Sequence, residues 1–136
     1  MIKNQKCINS KGFEILRNEI GVAQEEIFGA TWNNEEKLVS IKFDIPVFVI
    51  FSTDIVNILP KDIENILYLY NESGQLLKEV EAPSVIENGK ISKFMYPKID
   101  KTGSLYGFVI SQGDEEYELR FKYDELSFSD PKKIRV

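Results

Sequence analysis

Short clusters of Asn, Asp, Gly, Ser and Glu punctuate this chain every ten or so residues, and the apolar runs between them are too short for ordinary globular helices. That spacing is the mark of strands joined by tight turns. The clearest run lies near the C-terminus, where Tyr117, Leu119, Phe121 and Tyr123 alternate with Glu116, Glu118, Arg120 and Lys122. A period of two puts one row on a core face and the other in water. Leu105 to Ile110 is apolar on both faces, and Ser111-Gln112-Gly113-Asp114 supplies the turn that makes the two runs a hairpin. Lys90 to Tyr96, entered through Asn88-Gly89 and left through Asp100-Lys101-Thr102-Gly103, adds a third strand and a meander.

The middle of the chain repeats the style. Asn65 to Tyr70 and Gln75 to Val80 flank Asn71-Glu72-Ser73-Gly74 as a second hairpin. A helix competes there, because Ile63, Ile66, Leu67 and Tyr70 also satisfy helical spacing after Pro60, but the density of Tyr, Leu and Ile about a four-residue turn favours strands. Glu26 to Trp32 and Leu38 to Phe43 flank Asn33-Asn34-Glu35-Glu36 as a third hairpin, with Val39, Ile41 and Phe43 on one side. Beyond Pro46, Val47 to Phe51 is apolar on both faces and is expected to be a central, covered strand. Lys11 to Gly21 fits a short helix closed by Gly21. The expected fold is mainly β: an antiparallel sandwich or open barrel of hairpins with one or two short helices, forming a single domain over residues 1–136.

Composition narrows the chemistry. Among 136 residues there is no His and one Cys, so neither a Ser-His-Asp nor a Cys-His nucleophile system can be assembled, nor a zinc site drawing on imidazole or four thiolates. Nothing in the chain calls for a metal or cofactor. Cys7 lies in a polar N-terminal stretch and reads as an incidental thiol. Seventeen basic against 22 acidic residues, with no Lys/Arg-rich block, argue against a nucleic-acid binder and toward a basic partner. Met1 to Lys6 carries positive charge but no apolar core follows it, and the run Ile45 to Phe51 is far short of a membrane span. A cytoplasmic protein without membrane contact is the expectation.

Several motif-like stretches lack the residues their chemistry requires. Asn88-Gly89-Lys90-Ile91-Ser92 lacks the preceding Gly and the following Ser or Thr of a phosphate loop. Asp100-Lys101-Thr102-Gly103 lacks a Glu at the twelfth position of a calcium loop, which is Ser111. Asn71-Glu72-Ser73 is formally a glycosylation sequon at a hairpin tip. Paired carboxylates are the remaining catalytic chemistry, with Glu25-Glu26, Glu35-Glu36, Asp114-Glu115-Glu116, Glu118 and Asp124-Glu125 available, but no spacing singles out a pair. Trp32, Tyr68, Tyr70, Tyr96, Tyr106, Tyr117 and Tyr123 suit core and sheet-face positions. One charge feature rises above the background: between Gly113 and Asp130 seven acids stand against two bases, a balance of -5 that equals that of the whole chain.

The stretch Tyr68 to Lys78 (Tyr-Leu-Tyr-Asn-Glu-Ser-Gly-Gln-Leu-Leu-Lys) and the later Gly103-Ser104-Leu105-Tyr106-Gly107-Phe108 are similar in style to hairpins of small bacterial immunity proteins, the antidotes of contact-dependent and other polymorphic toxin systems. The resemblance covers roughly the second half of the chain and implies a non-catalytic cytoplasmic protein that binds one cognate toxin domain. A basic nuclease is the expected toxin class, because its substrate channel must be positive to hold phosphates. The expected contact is the acidic set Asp114, Glu115, Glu116, Glu118, Asp124 and Glu125, with Tyr117 or Tyr123 as anchors if they face outward. Two alternatives stay open at this level: a carboxylate-based hydrolase of a small polar substrate, and a β-barrel that carries a small ligand.

Overall fold

The structure, a computed structural model, describes residues 2–16, 25–52, 54–62, 65–83, 92–101 and 105–134. Three antiparallel sheets account for the regular structure. The first takes β1 (Ile2–Ile8), β2 (Gly29–Asn34) and β3 (Lys37–Lys42) in that order. The second takes β4 (Val47–Phe51), β5 (Ile55–Pro60), β6 (Ile66–Asn71) and β7 (Leu76–Glu81), also in order. The third takes β8 (Lys93–Ile99), β9 (Leu105–Gln112) and β10 (Glu115–Lys122), with the short β11 (Ser127–Phe128) and β12 (Lys132–Lys133) both pairing with β10. Every neighbour is next in sequence, apart from β12, so the fold is built from local hairpins.

Two hydrophobic cores share the second sheet. Ile2, Ala30 and Trp32 of the first sheet pack with Val47, Val56 and Ile58 of the second. Ile55, Leu59, Leu67, Leu69 and Val80, from the other face of the second sheet, pack with Phe94, Phe108, Ile110, Leu119 and Phe121 of the third. The result is a three-layer sandwich whose middle sheet is covered on both faces, and the sheets are not closed into a barrel. All six residues of β5 are accordingly buried. The apolar ligand carrier weighed above would need such a closed barrel.

The third hairpin and the meander form with shifted bounds: Gly29–Asn34 stands in place of Glu26 to Trp32, which narrows the turn to Glu35-Glu36, and Lys93–Ile99 in place of Lys90 to Tyr96, while Asn34 pairs with Lys37, Gln112 with Glu115, and Tyr117 with Ile110. The strand reading of the Ile66 to Tyr70 segment holds against the helical one, because Leu67 and Leu69 are needed on one face and Tyr68 and Tyr70 on the other. Gly74 closes that hairpin at φ +81, where a Cβ would stand 2.7 Å from Val39 Cγ1 of the first sheet.

Two expectations are corrected. Val47–Phe51 is an edge strand of the middle sheet, and Phe48 is 45% exposed with the Lys61 ammonium 4.7 Å over its ring. An apolar pattern on both faces marks membership of the covered layer, which β4 has, and does not fix position within it; the central strand is β5. In place of a helix, Lys11 to Leu16 carries a turn and a bridge from Glu14 to Ile8, and residues 17–21 of that segment lie outside the described residues. Asn88-Gly89 and Thr102-Gly103 also lie outside them.

Candidate functional site

Strand β10 aims Tyr117, Leu119 and Phe121 into the core and Glu116, Glu118, Arg120 and Lys122 outward. The turn through Gly113 and Asp114 and the loop through Asp124 and Glu125 stand at its two ends. Half of the six acids expected to meet a partner are engaged by neighbouring bases. Lys133 Nζ lies 3.0 Å from Glu115, Lys98 Nζ 3.4 Å from Glu118, and Lys122 Nζ 4.0 Å from Glu125, while Arg120 Nε lies 3.9 Å from Glu118. Asp114, Glu116 and Asp124 form no ion pair with another described residue. Exposed pairs of this kind add only about 0–1 kcal/mol to stability, yet each cancels a charge that would otherwise act on a partner.

Tyr117 is buried, and its hydroxyl donates to Glu115 Oε2 at 2.6 Å, which, ahead of burial, pushes the phenol above its ordinary value. Tyr123 is 38% exposed, and its hydroxyl donates to Leu105 O at 2.6 Å. The aromatic side chains that do reach the outer face of the third sheet are Tyr96 and Tyr106, the latter under the Arg120 guanidinium at 5.8 Å.

Bringing β8 and β12 beside β10 changes the charge balance. Residues 93–136 hold eight acids and eight bases, and residues 1–42 hold six of each. Between 43 and 92 eight acids face three bases, so the whole excess of -5 belongs to the segment that builds the middle layer. Among the described residues of that segment, Asp44, Asp54, Asp62, Glu72, Glu79 and Glu81 stand against Lys61 and Lys78. On the edge strand β7, Lys78, Glu79 and Glu81 are exposed, as are Leu76 and Leu77, at 48% and 43%. This edge was not singled out from the sequence, although the loss of alternation in Leu76-Leu77-Lys78-Glu79 was the available sign of a strand with little cover.

At the end of the sandwich where the β2–β3 and β6–β7 tips meet, an open cleft of about 490 Å3 is lined by Glu35, Asp54, Ile55, Asn71, Glu72 and Leu77 among others. The Trp32 indole N–H donates to Glu72 O at 2.6 Å and ties the two tips together. Cys7, on the core side of β1, is buried rather than displayed.

No family model and no curated protein matches the chain. Its fold is similar to a chain in the solved structure of Tne2 in complex with Tni2, with a TM-score of 0.72 and 15% sequence identity, over 99% of this chain and 100% of that one. At that identity the likeness is one of fold.

Proposed function

We propose that this chain is a non-catalytic immunity protein that binds a cognate bacterial toxin domain in the cytoplasm and neutralises it by covering its working surface. The observation that carries the reading is the end-to-end similarity to a chain solved in a complex of two proteins, a size and fold used there within a protein pair. The hairpin resemblance seen in the sequence points the same way. The toxin domain is taken to be basic, a nuclease being the class that needs a positive channel. The free carboxylates Asp114, Glu116 and Asp124 then act with the ion-paired Glu115, Glu118 and Glu125, which exchange their present bases for the partner's.

The test is co-expression of the chain with the variable C-terminal domain encoded by a neighbouring gene, in cells that the domain alone kills. Survival with a stable equimolar complex is expected. Survival without any complex, or turnover of a substrate by the purified chain, overturns the proposal.

A further inference from the structure

Strand β7 ends the middle sheet, and among the described residues no strand pairs with its outer side. The hydrogen bond from Ala82 N–H to Asn65 O, at 2.8 Å, sets the phase of the β6–β7 ladder. In an antiparallel pair the bonded positions recur every second residue, so Val80 and Lys78 bond back to β6, opposite Leu67 and Leu69. Glu79 and Glu81, opposite Tyr68 and Ile66, turn their N–H and C=O groups to the open edge. Two donors and two acceptors are thus presented in a row, with Leu76 and Leu77 exposed beside them.

We propose that this edge accepts an extended cationic segment of the partner protein as a fifth strand of the middle sheet. The proposal rests on the reading of the partner as a basic protein and names the part of it that docks. Charge selects this occupant over a second copy of the chain. Antiparallel pairing of β7 with itself sets Glu79 opposite Glu81 of the other copy, and like charges directly opposite each other are unfavourable. A strand with Lys or Arg at alternate positions places its cations beside the exposed Glu79 and Glu81. Lys78 and the bulge at Leu77 guard the edge against indiscriminate pairing, a role that charges and bulges play on exposed edges.

The experiment titrates the isotope-labelled full chain with a synthetic peptide of alternating Lys and Val, and follows amide hydrogen exchange. An Asp/Val peptide and a Lys/Val peptide interrupted by prolines serve as controls. At saturation the Lys/Val peptide is expected to slow exchange at Glu79 and Glu81 by at least about tenfold, an effect weakened by salt. Glu79→Pro, which removes an outward N–H and spares the bonds to β6, abolishes the protection, and so does the E79K/E81K pair. Protection at Asp114 and Glu116 instead, equal protection by all three peptides, or none, overturns the assignment. A toxin complex that forms in co-expression while the β7 amides stay unprotected sinks the edge alone; absence of any complex sinks the functional reading.

Discussion

Ser52, buried in the turn between β4 and β5, is the polar link between the middle and third layers. Its Oγ accepts from Asn57 Nδ2 at 3.1 Å and from the Leu105 N–H at 3.3 Å, and lies 2.8 Å from the Tyr123 hydroxyl. Because the Tyr123 proton goes to Leu105 O, the serine proton is left for the tyrosine oxygen, which fills the capacity of the serine hydroxyl. Ser52→Ala therefore strands the Leu105 N–H and one Asn57 amide proton away from water. At about 1–3 kcal/mol for each of the two donors left unsatisfied, the expected cost is about 2–6 kcal/mol. Tyr123→Phe leaves both serine acceptances intact and costs about 1–2 kcal/mol. Since the two side chains share one bond, the double variant should be destabilised by about 1 kcal/mol less than the sum of the two. Urea unfolding of the four proteins measures this, the single Ser52 variant losing about 1–3 M in midpoint at an unchanged slope. Strict additivity, or a cost for Ser52→Ala below about 0.5 kcal/mol, would refute the view that this hydroxyl clasps the two layers.

The β2–β3 turn holds Glu35 at φ 49 and Glu36 at φ 70, left-handed values that favour Asn and Gly, so Glu35→Asn with Glu36→Gly should raise stability by about 1–2 kcal/mol in thermal unfolding. Gly74→Ala forces a Cβ to within 2.7 Å of Val39 Cγ1 at a left-handed φ, and should lower stability by about 2 kcal/mol or more by the same measurement. Burial, partly offset by the Ser52 hydrogen bond, raises the Tyr123 phenol above its ordinary 10.0. Its neutral form is the one the fold favours, so that contribution is whole below pH 10.0 and is lost as pH climbs through the folded value. Stability measured across the alkaline range should fall less steeply in Tyr123→Phe, with Tyr70 and Tyr117, also raised, supplying the remaining slope.

Period-two alternation and turn chemistry are local properties, and they were enough to place Tyr117, Leu119 and Phe121 on one face of a strand, to find the three hairpins and to expect a mainly β sandwich or open barrel. The absence of histidine likewise limits the available chemistry before any folding is considered. What escaped was β1 and β5 themselves, which were not expected as strands, and everything that depends on which strands become neighbours. Val47–Phe51 and Ile55–Pro60 are both apolar on two faces, and only the order of the middle sheet makes the second central and the first an edge. The acids after Gly113 form a charged run along the chain, but the chain returns Lys98, Lys132 and Lys133 to the same sheet, and charge is felt through space within a Debye length of about 8 Å rather than along the backbone. For the same reason the exposure of β7, and the outward backbone groups of Glu79 and Glu81, came into view only with the tertiary structure: the chain determines which groups a strand carries, and packing decides which of them are left facing water.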